Sequence, residues 1–337
     1  MEFLFVEFLG KQVWMWLAFI SIVVTLLAFD LGVLHRKTRE ISIKESLWLS
    51  SFYITIALIF GAWVWYEMGA EKGEEYLTGF LVEKTLAMDN IFIISLIFSY
   101  FAIPPLYQHR VLFWGILGVI VLRAIMIALG ATLVAEFSWV LYIFAVFLII
   151  TGIKMLYIGD KLPDIKTNPI LKFLKNNFRF TNKLHGQNFT VKMKDKKTGK
   201  MATYGTPLLI SLILIEFVDL IFAVDSIPAI FTITLDPYIV YTSNIFAILG
   251  LRALYFALAA IVHRFKYLKQ SLAVVLIFIG SKTFIADFMG LEKFPADISL
   301  GVTVALIAAG IIVSLIKTRD SQPSNASFKN KKRERKI

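Results

Sequence analysis

The stretch VEKTLAMDNIF, residues 82–92, puts Glu83, Lys84, Asp89 and Asn90 inside a segment, 77–101, that otherwise has the length and apolarity of a membrane span. A charged side chain at the centre of a bilayer costs about 2.5–3.5 kcal/mol on insertion scales, so such residues persist where they are paired, hydrated or used. Whether this one segment is an oddity or part of a pattern decides the fold.

The rest of the chain supplies the setting. Of 337 residues 58% are apolar and 18% charged, and the mean hydropathy is +0.73. Apolar runs of about 20 residues, the length that crosses a hydrocarbon core, recur from end to end. Nine spans can be drawn at 13–34, 46–66, 77–101, 110–134, 138–158, 206–231, 238–262, 269–289 and 297–316. The chain therefore reads as an all-α polytopic membrane protein with a single transmembrane domain over 1–316, a basic cytoplasmic connection at 159–205 and a basic cytoplasmic tail at 317–337. The first span is too long for the apolar core of a signal peptide and is expected to be retained.

The net charge of +11 lies in the connections. Odd-numbered gaps are rich in Lys and Arg, as in residues 35–44, 160–205, 263–269 and the tail. The even-numbered ones, EMGAEKGEEYLTG, AEFSW, TLDPY and GLEKFPADIS, are poor in them. The positive-inside rule then predicts an outside N-terminus and a cytoplasmic C-terminus in the cytoplasmic membrane, with anionic lipid and no nucleic acid as the partner of the basic loops. Trp63, Trp65, Tyr66 and Trp139 read as interfacial belt residues. The absence of cysteine excludes disulfides, thiolate metal sites and cysteine nucleophiles, and no phosphate-binding loop of the form G-x-x-x-x-G-K-[ST] is present.

A repeat answers the opening question. LVEKTLAMDNIF in span 3 aligns without gaps on FVDLIFAVDSIP in span 6, pairing Glu83 with Asp219, Asp89 with Asp225 and Asn90 with Ser226. VLRAIMIALG in span 4 matches GLRALYFALA in span 7, pairing Arg123 with Arg252, and TGIKML in span 5 matches IGSKTF in span 8, pairing Lys154 with Lys282. Spans 3 and 6 run in opposite directions. The expectation is two inverted three-helix repeats, spans 3–5 (about 77–158) and 6–8 (about 206–289), an arrangement used by secondary transporters with interrupted helices at the midplane.

Within the spans the acids Glu83, Asp89, Glu216, Asp219 and Asp225 outnumber the bases Arg123, Arg252, Lys154 and Lys282 by one. That surplus suits a cation. Carboxylate, amide and hydroxyl oxygens from Asp89, Asn90, Asp225 and Ser226 suit a hard one, magnesium, calcium or manganese. On an ideal helix Glu216 and Asp219 lie about 60° apart while Asp225 lies about 120° from Asp219, so one straight helix cannot aim all three at one point. Either the helices of spans 3 and 6 break near their motifs, with Pro228 a breaker in span 6, or the acids serve more than one site. The four bases read as charge-balancing or gating groups; Lys154 could equally snorkel, and Asn244 reads as an interhelical hydrogen bond.

LTGFLVEKTLAMDNIFIISLIFSYFAIP, RVLFWGILGVIVLRAIMI, EFVDLIFAVDSIPAIF, DPYIVYTSNIFAILGLRALYF and IGSKTFIADF together resemble the TerC family of membrane proteins, from about Ala28 to about Ile312. The resemblance implies export of divalent manganese, with Glu83, Asp89, Glu216, Asp219 and Asp225 carried over as residues of the metal pathway. Tellurite resistance is that family's historical label. The expected function is a secondary exporter, not an enzyme, with no resident cofactor, a divalent metal ion as cargo and protons as possible counter-ions. Two alternatives stand beside it: a membrane-embedded enzyme with Asp89 and Asp225 as an aspartyl dyad, and a helper that delivers metal to exported proteins. AMDN and AVDS lack the G-x-G-D pattern of intramembrane aspartyl proteases.

Overall fold

The computed structural model describes residues 2–32, 42–158, 168–194, 199–291 and 293–320, except for the segment 259–265. A short 3-10 turn and a two-stranded hairpin, β1 (Glu7–Phe8) and β2 (Lys11–Gln12), precede α1 (Val13–Gly32). There follow α2 (Ile43–Met68), α3 (Ala70–Tyr100), α4 (Pro105–Glu136), α5 (Val140–Ile158), the short α6 (Pro169–Asn177) and a second hairpin, β3 (Thr190–Lys194) with β4 (Met201–Gly205). The chain closes with α7 (Pro207–Ile233), α8 (Pro237–Leu249), α9 (Leu251–Leu258), α10 (Lys266–Phe288) and α11 (Ala296–Asp320).

Local chemistry sets the starts. Ser42 accepts from the Glu45 amide to open α2, and Asp236 accepts from the Tyr238 amide to open α8. Proline stands in the first turn of α4, α6, α7 and α8, where its missing N–H leaves no bond unmade. The long basic connection is not featureless: its described part holds α6, which buries Leu171 and Leu174, and the β3–β4 hairpin.

A helix occupies each of the nine expected segments, α8 and α9 sharing the seventh. Six helices are long and apolar enough to cross a membrane, or seven when α8 and α9, bent by 40° at Gly250, count as one span. In α1 the described apolar stretch, Val13–Phe29, is shorter, and α3 carries ionisable residues at 83, 84 and 89. The protein is thus a helical multi-pass membrane protein. Ile143 and Ile150 on α5 and Val121 and Leu129 on α4 are exposed, as lipid-facing side chains are. Of the aromatics read as interfacial, Trp65, Tyr66 and Trp139 are exposed, whereas Trp63 is half-buried and packs against Trp14 and Phe60.

The helices of spans 3 and 6 are continuous. Pro228 lies inside α7 without ending it, because proline removes a single bond to the preceding turn. The break falls instead in span 7, at Gly250. There Lys84 of α3 donates to the Ala247 carbonyl (3.0 Å) in the last turn of α8, a cation set at a helix C-terminus.

The connections sort onto two faces. Lys293, between α10 and α11, pairs with Glu71 and Glu75 at the start of α3; Thr234, after α7, donates to Glu75; Lys11 pairs with Asp236; and Tyr142 at the start of α5 donates to Asp287 at the end of α10. These ties gather the N-terminal hairpin and every even-numbered connection at one end. At the other end Arg110 lies over Phe189, and Tyr255 donates to Gln108.

Candidate functional site

Arg123, 1% exposed, is the centre of a buried polar cluster where α3, α4, α7 and α8 meet. Its Nη1 lies 2.6 Å from Glu83 Oε1 and donates to Ser226 Oγ (2.9 Å) and Asn244 Oδ1 (2.5 Å). Its Nη2 and Nε reach the two oxygens of Asp219 at 3.4 and 3.5 Å. Asn90 Nδ2 donates to Asp219 Oδ1 at 3.1 Å, and Ser226 hydrogen-bonds Glu83. The last two contacts are mates under the repeat, since Asn90 aligns with Ser226 and Asp219 with Glu83.

Two carboxylates here face one guanidinium. Arg123 satisfies the planar, forked geometry that a buried carboxylate pair needs, and lysine could not span the same four partners. The cluster is nonetheless incomplete: Asn90 Oδ1 and Asn244 Nδ2 are buried with no hydrogen-bond partner among the described residues. Glu216, one turn before Asp219 on the same face of α7, also has a buried oxygen, Oε2, without one. Its carboxylate lies against Gly118 of α4, where a Cβ would overlap it, and near Gly115. Small residues on α4 thus make room for an acid on α7.

A small, largely apolar crevice begins at Asn90 and Asp219 and is lined by Gly115, Val119, Leu112 and Ile215 among others. Leu112 and Ile215 come before Val119 and Asp219 in their helices. The crevice therefore runs toward the end where α4 and α7 start, the end that carries α6 and the β3–β4 hairpin.

The remaining expected residues lie elsewhere. Asp225 is half-buried on another side of α7, hydrogen-bonded to Thr151 and beside Lys154 of α5, so Lys154 is exposed yet opposes a carboxylate. The continuous α7 divides the acids as helical geometry requires: Glu216 and Asp219 face α4, and Asp225 faces α5. Arg252, 4% exposed, lies over the Phe113 ring (5.9 Å). Lys282, 5% exposed, donates to Ser299 of α11 (3.3 Å). The side chain of Asp89 lies outside the described residues. Among the described residues no three His, Cys, Asp or Glu side chains converge as a ready-made metal cage. Asn244 makes the interhelical hydrogen bond expected of it, to Arg123; Lys84 is the polar residue whose structural role the charge count understated, and the glycine three positions beyond the Lys84-bonded carbonyl was the available signal.

Beyond the cluster, α5 and α10 cross at close quarters. A Cβ on Gly152 would stand 2.6 Å from the Ala273 carbonyl oxygen and from Ile277 Cγ1; one on Gly280 would stand 2.5 Å from the Ala145 carbonyl oxygen and 2.9 Å from Ile149 Cγ1. The span 5/span 8 alignment carries Gly152 to Gly280, and the same register carries Ala145 to Ala273 and Ile149 to Ile277. The contact is its own mirror in the aligned residues.

Comparison with known proteins agrees with this architecture. The chain is 53% identical over 302 residues to an uncharacterized membrane protein of Rickettsia felis, covering 90% of this chain and 97% of that protein. It is 46% identical over 312 residues to one of Myxococcus xanthus, covering 93% and 95%. It is 43% identical over 309 residues to the putative membrane-bound redox modulator Alx of Salmonella typhi, covering 89% and 93%. No solved structure matches the chain. The profile described as integral membrane protein TerC family matches residues 68–322, and the chain belongs to that family.

Proposed function

We propose that the protein is a secondary exporter that carries a hard divalent cation, manganese foremost, out of the cytoplasm by alternating access. The observation that carries this reading is the head of the crevice. Asp219 and Asn90 line it, and Glu216 lies one turn before Asp219 on α7; among the described residues Asn90 Oδ1 and Glu216 Oε2 lack a partner, and the carboxylates exceed the one guanidinium. Oxygen donors without thiol or imidazole suit manganese, magnesium or calcium, and the family resemblance favours manganese among them. The metal is cargo. Asp219 and Asn90 would hold it, Glu216 would receive it along the crevice, and Arg123 would steady Glu83 and Asp219 when it leaves. Asp225 with Thr151 and Lys154, and Asp89 of the other repeat, would form a further station on the route.

Charge suggests the coupling. Moving two charges outward against an inside-negative potential costs about 4.6 kcal/mol per 100 mV, from about 2.3 per charge. Glu83, Asp219 and Glu216 against Arg123 leave two negative charges, which one divalent cation or two protons neutralise equally. Exchange of one metal for two protons is then electrically silent and removes that cost. The inverted repeats expected from the sequence would supply the two related halves that alternating access needs. The mirrored α5–α10 contact supports them, and the positive-inside rule favours a cytoplasmic side for the crevice end.

The redox name borne by the Salmonella relative does not extend to thiol chemistry in this chain, which has no cysteine. The test is metal content in manganese-stressed cells. Cells with Asp219→Asn accumulate manganese relative to wild type; equal content with equal protein in the membrane overturns the reading. A metal-delivery helper would leave bulk content unchanged.

A further inference from the structure

Glu75 belongs to the opposite end from the crevice and has no place in the cation route described above. It is a carboxylate with 1% exposure in the early turns of α3. Its Oε2 accepts from Thr234 Oγ1 just past α7 (2.5 Å) and from Lys72 Nζ on its own helix (2.9 Å), and its Oε1 pairs with Lys293 from the α10–α11 connection. Lys293 also reaches Glu71 (2.9 Å). Three separate parts of the chain are thus tied through one buried side chain. Between this tie and the Arg123 cluster the packing is tight: Gly79, one turn below Glu75, lies against Ile230 and Ser243, and Ser243 is fully buried.

The two ends of the bundle therefore differ in kind. One has a crevice that reaches Asp219; the other is closed by an ion-pair and hydroxyl knot over packed apolar residues. We infer that the Glu75–Lys293–Thr234 knot is the bolt of a gate, which holds this end shut in the conformation described and must open for the end of α3 to part from α7 and the α10–α11 connection. This inference rests on the alternating-access reading above, and the residues suit such a part. Lys293 is 44% exposed and sits on a connection, so it can swing away into water, whereas Glu75 cannot leave the helix. Losing one partner of a buried carboxylate shifts a two-state balance strongly toward the state in which water reaches that carboxylate.

The absence of native cysteine makes a direct test available. Ser243→Cys places a single thiol behind the bolt, and Ser211→Cys, equally buried near the start of α7, places one at the far end. Labelling of purified protein in detergent by a charged methanethiosulfonate reagent is followed with and without Lys293→Gln. The expected result is that Lys293→Gln speeds labelling of the Ser243→Cys protein by about tenfold or more, Lys293→Arg restores protection, and the Ser211→Cys protein labels at an unchanged rate. Equal rates at position 243 overturn the bolt, and so does an equal rise at position 211, which would mark general loosening. The readout needs no metal, so a failed export assay would count against the exporter and leave this result standing on its own.

Discussion

The two crossings that the sequence alignment pairs residue for residue use opposite physics. At the α5–α10 crossing, glycines let the backbones close to contact, and the partners are carbonyls and isoleucine side chains. At the crossing of α3, α4, α7 and α8, the partners are Glu83, Arg123, Asp219, Asn90 and Ser226. Small-residue packing is how membrane helices associate when the hydrophobic effect offers no preference between lipid and protein. A buried charged cluster is a poor glue, because desolvation offsets most of the attraction. The difference teaches that the α5–α10 crossing is built to hold helices together, whereas the charged crossing is poorly suited to that task.

The contrast can be broken by substitution. Arg123→Met leaves Glu83 and Asp219 buried without their cation and is expected to destabilise by about 3–5 kcal/mol, read as a fall in the thermal unfolding midpoint in detergent. A shift near zero would mean that the carboxylates are held by something other than Arg123. Gly152→Leu and Gly280→Leu should each cost about 1–3 kcal/mol through overpacking against a carbonyl that cannot retreat. Because the two glycines are mates, their losses should match; a large loss in one and none in the other would end the mirrored reading. Ser226→Ala removes one acceptor from Arg123 and one partner from Glu83, with an expected loss of about 1 kcal/mol. Glu216→Gln, which deletes no bond the fold makes, should leave stability unchanged while lowering export. A marked loss of stability would reassign Glu216 from the route to the framework.

Much of this arrangement was legible in the residues. Apolar runs marked the six or seven helices that are long and apolar enough to cross a membrane, because bilayer thickness sets their length, and the connections read as poor in Lys and Arg are the ones that the described ion pairs and hydrogen bonds gather at one end. The acids were separated by helical geometry alone: the angles of about 60° between Glu216 and Asp219 and about 120° to Asp225 require two faces of a continuous α7. What escaped notice had competing signals. Pro228 looked like the breaker, yet a membrane helix absorbs one lost bond. Gly250 is the break, because Lys84, a residue of another helix, meets the carbonyl end there. Glu75 and Lys293 read as ordinary charges in exposed connections, and only the fold buries one against the other. Trp63 looked like a belt residue because sequence does not say which side of α2 faces Trp14.

The most direct measurement is manganese flux in proteoliposomes under an imposed pH gradient, with wild type and Asp219→Asn matched for folded protein. The expected result is flux that follows the proton gradient, is indifferent to membrane potential, and falls about tenfold or more in Asp219→Asn, as loss of a direct ligand does. Equal flux in the two proteins, or none in the wild type, would contradict a divalent-cation route through Asp219.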